Sequence, residues 1–486
     1  MMETDVLVVG AGPVGLALAC ALLQHGVSAR VIDKAPGPAT TSRANFVHAR
    51  GSEVLDRLGA LDGLPEESVR AMTITTYAGE RPMMRIRFGD PGLGTAAPPM
   101  VISQARVEER LRDRLAELGG RPEWGAGLSG FQQDAAGVTA VLGDGRTVRA
   151  GWLVGCDGSS STVRKLSGIG FPGVKVSERF LLVDAHLDGV LDREGTSGWT
   201  HPDGVLGAMP MPGDQWRLLA YDADFRDEKP GEEQIVERMR RILPVRTGLT
   251  GLRLRDVTWA SLFSVHRRLA DAYRDGRVLL AGDAAHVHAP FGGQGMLTGL
   301  GDAENLAWKL ALVARGLAAD RLLDTYQAER RPLASQVLRG STAATKVNIA
   351  GSPLGRLLRD RVLVPVFNLA WIQRWTTYTT SQLWVSYRRG PLGGGGRKPR
   401  PGDRIPDLAC LRLDGTRTRL HAELRGRWAA LGPFEDEAFE AVRRRLGDQV
   451  IRLRAAGPAM LVRPDAHLAC KGGPTELARW LDGALR

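Results

Sequence analysis

The sequence predicts an α/β protein of more than one domain, and three observations carry that prediction. The chain opens on an apolar run, then three glycines in G-x-G-x-x-G register, a helical segment, and a second apolar run ending in an acid. Two later apolar runs each stop at an Asp beside a Gly. Between and beyond them lie stretches of alternating apolar residues, the pattern of half-buried antiparallel strands. At 486 residues the chain also exceeds what one hydrophobic core usually organises.

The first element is "DVLVVG", a short continuous apolar run that reads as a buried parallel strand. Gly10, Gly12 and Gly15 follow, then the helical "LALACALLQHG" and the strand "SARVID" ending at Asp33. Gly10 permits a sharp turn, Gly12 lets a pyrophosphate approach the backbone, and Gly15 lets the helix sit close to the strand. The helix N-terminus offers N–H groups to phosphates. Asp33 lies 21 residues after Gly12, where a ribose hydroxyl is expected to be held. This combination predicts a dinucleotide site. A second match, "GAGLSG" (125–130), has no apolar strand before it and a hairpin-like "FQQDAAGVTAVLGDG" after it. It reads as turn and strand, leaving one nucleotide fold and none for a separately bound NAD(P).

The next elements narrow the dinucleotide. "WLVGCDG" ends at Asp157-Gly158 and leads into the helix-like "STVRKLSG" with Arg164. "RVLLAGDAAH" ends at Gly282-Asp283. An acid at the carboxyl end of a sheet strand can hold a sugar-alcohol chain along the crevice, and the ribityl chain of FAD is such a group.

Composition excludes several classes. No stretch of 18 apolar residues and no leader pattern occurs, so neither a membrane span nor a secreted protein is expected, and the cytoplasm is the expected compartment. The four Cys are far apart with no C-x-x-C, against a disulfide framework or zinc module. The net charge of +11 comes from Arg scattered along the chain, without a nucleic-acid recognition motif, so no nucleic-acid partner is expected. An anionic cofactor or substrate accounts for part of it.

The motifs "GAGPVG", "GCDGSSSTVR" and "AGDAAHVHAPFGGQGM", with "TSRANFVHARGSEVLDRLG" and "SQARVEERLRDRL" between them, resemble the FAD-dependent aromatic hydroxylases of the para-hydroxybenzoate hydroxylase type. They look most like the actinobacterial polyketide- and antibiotic-modifying branch. The resemblance covers nearly the whole chain. It implies a glutathione-reductase-type, Rossmann-like FAD-binding domain, an inserted antiparallel substrate domain and a thioredoxin-like C-terminal domain.

By that resemblance Gly10, Gly12, Pro13, Val14, Gly15, Asp33 and Lys34 belong to the dinucleotide turn. Arg43 and Gln104 hold the ribityl and pyrophosphate region, and Leu128 packs near the adenine. Gly282 and Asp283 meet the ribityl chain. Asp157, Gly158 and Arg164 belong to a motif tied to both FAD and the reduced nicotinamide; for Arg164 the alternative is a surface-helix arginine. Pro290, Gly292, Gly293 and Gly295 form a loop against the isoalloxazine, with Met296 and Leu297 following. A helix from about Gly299 points its positive end at the ring, where reduced flavin is negative. Leu297 stands where the family usually has Asn, and Gly301 where Gln is common. Either the apolar swap is tolerated or the flavin chemistry is altered. His286 and His288 read as loop packing residues, since no third metal ligand and no nucleophile elbow accompany them.

Segments 71–98 and 176–276 form the expected antiparallel substrate domain. The FAD-binding domain takes 1–70, 99–175 and 277–340. Substrate candidates are Arg217, Tyr221, Pro290, Phe291 and Gly292, with Tyr77, Trp199 and Trp216 as further pocket candidates; for Arg217 and the aromatics, plain packing is the competing reading. Residues 341–388 read as a helical connection, 389–403 as a linker, and 404–486 as the thioredoxin-like unit, structural or dimer-related because it lacks C-x-x-C. A monomer or homodimer is expected.

The resemblance implies that NADPH or NADH reduces FAD, O2 adds at C4a, and the peroxyflavin hydroxylates a bound aromatic. No catalytic acid or base is identifiable. Two alternatives stay open: Baeyer–Villiger oxygenation of a polycyclic ketone, and a flavin-binding protein without oxygenase activity.

Overall fold

The computed structural model describes residues 3–41, 44–69, 73–87, 93–222, 225, 230–288, 292–348, 361–362 and 364–486. Two large sheets meet at one junction. The first runs in the order Arg274–Asp275, Val278–Leu280, Thr147–Gly155, Thr4–Val9, Ala29–Ile32, Pro122–Glu123. From Val278–Leu280 to Pro122–Glu123 neighbouring strands are parallel, with Val6 opposite both Trp152 and Ala29. Val6, Leu7 and Val8 are fully buried, as a parallel strand covered on both faces must be. The helix Pro13–Gln24 covers one face, and its apolar residues 15–22 are buried. The second glycine match becomes the strand Leu128–Gln133, paired antiparallel with Val138–Leu142, as its hairpin pattern predicts.

The second sheet runs His286–Val287, Arg253–Leu269, Gly173–Asp188, Trp216–Tyr221, Gly204–Pro210, Gly195–His201, Thr73–Ala78, Arg81–Arg87. It is antiparallel except for one pair: Gly195–His201 runs parallel to Thr73–Ala78. That pair joins two segments distant in sequence, so no hairpin turn dictates its sense. The helix Glu232–Thr247 covers one face, where Trp216, Leu218 and Ala220 pack with Ile235 and Met239. The chain passes from Val278–Leu280 in the first sheet, through Gly282 and Asp283, to His286–Val287 at the edge of the second. The Gly-Asp motif therefore lies where the two sheets join.

The last unit is a four-stranded sheet, Val450–Leu453, Trp428–Leu431, Met460–Val462, Leu468–Lys471. The first pair is parallel and the others antiparallel, with helices Asp436–Leu446 and Pro474–Leu485 packed on it. It is fused to the long helix Gly295–Ala314: Trp428 meets Trp308 edge-on at 5.2 Å. Beneath them Glu329 pairs with Lys309 and Arg463 at 2.8 Å each, all fully buried. The Gly-rich stretch expected to act as a linker is pinned at its ends. Tyr387 N–H donates to Gly402 O at 2.8 Å, and Gly402 N–H donates to Leu468 O at 2.7 Å.

Three buried His lie at this seam. His25 Nδ1 meets Gln449 Oε1 at 2.9 Å, His421 lies beside Glu53 and Arg57, and His467 beside Asp465 and Arg50. Burial pushes all three down to about 4. They are neutral when folded and gain protons below about 6.5 once unfolded. Their contribution is complete above that pH and is lost as pH falls toward 4. The melting temperature by circular dichroism is expected to fall steadily between pH 7 and pH 5; a flat profile would show that these rings do not govern the docking.

Candidate active site

The glycine turn is set by close contacts. Gly10 has φ +108°, and a Cβ there would lie 2.4 Å from Cys156 O. A Cβ on Gly15 would lie 1.9 Å from Gly10 O. Gly12 has no such neighbour within 4 Å, so the space above it is open. Gly12 caps the helix begun by Pro13 and, having no side chain, leaves the amides of the first turn uncapped. Asp33 accepts from Ala11 N–H at 2.7 Å and Ala35 N–H at 2.8 Å, which ties its carboxylate to the turn. Lys34 lies against Gly127, next to the buried Leu128. Gln104 opens the helix Gln104–Glu117 and donates to Glu108 at 2.8 Å. Val14 reaches across to the third motif: Cβ atoms on Gly282 or Gly299 would lie 2.8 and 2.4 Å from its Cγ2.

Asp157 caps the short helix Thr162–Leu166, accepting from Thr162 N–H at 2.6 Å and Val163 N–H at 3.1 Å. Gly158 takes φ +78° beside it. Arg164 is buried, not a surface-helix arginine. It donates to Ala284 O at 2.7 Å and Ser159 O at 2.9 Å, and its guanidinium stacks 3.8 Å from the Phe171 ring. It therefore ties the second motif to the third, a contact spanning 120 residues.

Behind the third motif lies Asp302, fully buried. One oxygen accepts from Arg330 Nε at 2.7 Å, the other from Gly282 N–H at 3.1 Å and meets His286 Nε2 at 2.6 Å. Burial alone would raise this carboxyl; Arg330 and His286 outweigh it and hold it below its usual range. Arg330 continues to Tyr387 Oη at 2.8 Å and Thr298 O at 2.7 Å. A Cβ on Gly301 would lie 2.9 Å from the Arg330 guanidinium, so a side chain there must displace that group. His286 is thus a polar member of this buried network beside Asp302, where it was expected to be a loop packing residue.

A cavity of about 470 Å³ lies between this junction and the second sheet. Asp283, His288, Gly292, Gly293, Gly295 and Met296 line one side. Gly292 and Gly293 take φ +89° and +59°. The helix expected from about Gly299 starts at Gly295, because Gln294 already has helical backbone and Thr298 N–H closes the first turn onto Gln294 O. Gly295 and Met296 thus belong to the helix, whose positive end opens on the cavity. Leu297 is buried but turned away: its Cδ1 packs against Gly51, and it is absent from the cavity walls. Leu297→Asn is accordingly expected to cost about 2 kcal/mol of stability by burying an amide in an apolar contact. Flavin reduction should be unchanged; a slower or uncoupled reaction in stopped-flow would place the side chain at the ring instead.

Of the sequence candidates on the second sheet, Arg217 lines the cavity with its side chain, whereas Trp199 borders it only through its strand, its ring lying with Leu206 and Trp216 in the core on the other face. Arg217 is buried and held bidentately by Asp184 at 2.8 and 2.7 Å. Trp216 faces the opposite side, into the core under Glu232–Thr247, because strand neighbours alternate. Tyr77 stacks on Trp199 at 5.5 Å without reaching the walls, and the Tyr221 ring packs on Phe180 at 5.6 Å. Arg43, Pro290 and Phe291 lie outside the described residues. Sequence reasoning missed Asn45, Phe46, His48 and His266 in the walls. His48 Nε2 lies 2.6 Å from Gly292 O, and burial pushes the ring down to about 4, so a neutral imidazole donates to the glycine loop. The signal was the helix-opening "NFVHARG", where no sequence pattern points the ring at a loop 244 residues away. Among the described residues no His/Cys/Asp/Glu group is arranged for a metal.

An open backbone at Gly12, uncapped amides at two helix starts and a carboxylate at the mouth of a mostly apolar cavity suit a flavin dinucleotide. Residues 3–341 match the family model described as an FAD binding domain. The chain belongs to the family of FAD-dependent monooxygenases. It is 36% identical, over 100% of its length and 98% of the relative's, to the 12-dehydrotetracycline 5-monooxygenase/anhydrotetracycline 6-monooxygenase of Streptomyces rimosus. It is 35% identical to the 6-methylpretetramide 4-monooxygenase of Streptomyces rimosus, over 96% of the chain and 90% of the relative. Among solved structures of this monooxygenase family, it superposes on an anhydrotetracycline hydroxylase of Streptomyces rimosus with a TM-score of 0.79, at 33% identity, covering 97% and 96% of the two chains. A ternary complex of aklavinone-11 hydroxylase with FAD and aklavinone gives 0.82 at 26% identity, covering 100% and 99%.

Proposed function

We propose that this monooxygenase hydroxylates a polycyclic aromatic or phenolic substrate of the polyketide type, using reduced nicotinamide and O2. The observation that carries the reading is the 470 Å³ cavity, closed on one side by the glycine loop and Asp283 and on the other by an apolar sheet face. When bound, the flavin accepts hydride from the nicotinamide and activates oxygen. Gly12, Val14 and Gly15 would present amides to the pyrophosphate, with Gly10 and Pro13 shaping the turn; Asp33 would supply the ribose acceptor and Asp283 the ribityl acceptor. Amides of Gly295 and Met296, at a positive helix end, would face the ring's N1–C2=O edge and favour its reduced, anionic form.

Ile74, Leu182, Met209 and Leu219 keep water from the reacting face. Arg217, charged and fixed by Asp184, would meet a phenolic oxygen of the substrate and lower the cost of its ionisation. Arg164 serves this site by positioning the two motif loops. The same reading divides the chain into the FAD-binding and substrate units expected from sequence. It also makes the C-terminal sheet a thioredoxin-like unit of structural role; burial pushes Cys410 to about 11 and Cys470 to about 12, which suits thiols that do not exchange. The test is a screen of polycyclic phenols for accelerated NADPH or NADH oxidation, with mass spectrometry under ¹⁸O2. A product carrying one labelled oxygen on the aromatic ring is expected. Oxidation that no aromatic accelerates and that yields only hydrogen peroxide would overturn it, and a labelled lactone would mean Baeyer–Villiger chemistry instead.

A further inference from the structure

A second cavity, of about 450 Å³, lies under the pinned Gly-rich stretch. Its walls include Arg388, Arg389, Lys398 and Arg404, with Tyr378 and Trp384. The fold brings these cations together by closing a loop: Tyr387 pairs with Gly402, and Ser386 bridges to Asp403. Gly402 sits at the crossing with φ +90°, where a Cβ would lie 2.4 Å from Arg388 N. The one carboxylate in the walls, Asp403, is spent on that closure. It accepts from Ser386 Oγ at 2.6 Å and from Arg400 N–H at 2.9 Å.

The cations are left with little to neutralise them. Among the described residues Arg388, Arg389 and Lys398 pair with no carboxylate, and all three side chains are exposed. Arg404 forms the floor, with its side chain only 6% exposed. It donates through one terminal nitrogen to Glu53 at 2.5 Å and to Gly94 O at 3.1 Å. Its Nε–H is buried without a partner. A buried guanidinium N–H that nothing accepts is costly unless a ligand completes it. Three exposed cations over one such donor, beside two aromatic rings, suit a phosphate on a nucleotide: guanidinium forks take the phosphate and the rings take the base.

The cavity also abuts the helix that opens on the first cavity. Its wall residue Leu383 follows Gln382, whose amide donates to Thr298 Oγ1 at 2.8 Å and to Gln294 Oε1 at 3.3 Å. Gln294 caps the helix that opens on the first cavity and lines that cavity itself. We propose that the second cavity binds a phosphate monoester, and that the phosphate is the 2′-phosphate of NADPH. This rests on the monooxygenase reading only for the choice of nicotinamide, and it makes NADPH the preferred reductant over NADH.

The test uses the FAD-loaded full chain and the double variant Arg388→Ala/Arg389→Ala, whose exposed side chains hold no fold contact described above. Calorimetric titration with adenosine 2′,5′-bisphosphate is expected to show binding at least about tenfold tighter than with adenosine 5′-diphosphate or inorganic phosphate, and the variant to lose about that factor. In anaerobic stopped-flow, the variant should raise the apparent Kd for NADPH by a similar factor. Its limiting reduction rate and its behaviour with NADH should stay unchanged. Binding of inorganic phosphate as tight as the bisphosphate, with NADPH and NADH equivalent, would mean a free-phosphate site and overturn the assignment. No binding of either phosphate would overturn the site itself. If neither nucleotide reduces the flavin, the monooxygenase reading fails, while the bisphosphate titration, which needs no turnover, still decides the cavity.

Discussion

The Asp302→Ala variant is expected to lose about 4 kcal/mol of stability, because removing one member of a buried ion pair strands the other. Arg330 would keep its charge at 1% exposure, with only Tyr387 Oη and Thr298 O left to it. The Gly282 N–H would lose an acceptor, and His286 its ring partner. The loss should reach the site as well as the fold, since Gly282 immediately precedes Asp283. A lower melting temperature together with weaker FAD retention is therefore expected. The double variant Asp302→Ala/Arg330→Met removes the stranded charge and should recover part of the stability. Equal stability of the single variant and wild type in urea titration would show that the network is not what holds the Gly-Asp turn.

Replacing Asp283 by Ala is expected to leave the fold intact and weaken FAD binding by roughly thirtyfold, the loss of about 2 kcal/mol for hydrogen bonds to an ionised acceptor. Asp283 lines the cavity at the junction of the two sheets, where a ribityl chain would pass between the glycine turn and the ring. The measurement is the ratio of flavin to protein absorbance after dialysis, with a melting curve as the control for folding. A variant that stays fully yellow and melts as wild type would remove Asp283 from the ribityl site. The two variants differ in kind: Asp302 acts through the turn's geometry, whereas Asp283 would meet the cofactor itself.

Much of the nucleotide half was legible because its requirements are local. A strand, three glycines and a helix start obey backbone rules confined to a dozen residues, and the contacts at Gly10 and Gly15 are those rules realised. The helix boundary was misplaced by four residues because glycines weaken helix propensity, while Gln294 and the tertiary contacts of Thr298 override it. The second sheet was legible as alternating strands, but not its inward face. Trp199, Trp216 and Arg217 lie on strands of one sheet with the same signal, and packing of the helix Glu232–Thr247 takes both Trp rings into the core and leaves Arg217 to the cavity.

By itself, then, the amino-acid order determined the glycine turn, the acids at strand ends and the α/β class, since each depends on neighbours a few bonds away. Tertiary structure alone decided that Arg164 joins two motifs, that Asp302 anchors a third, that Leu297 turns from the cavity, and that Arg388, Arg389, Lys398 and Arg404 converge. Those outcomes rest on partners scores of residues apart, whose meeting is fixed by how sheets and helices pack and which buried charges can be paired.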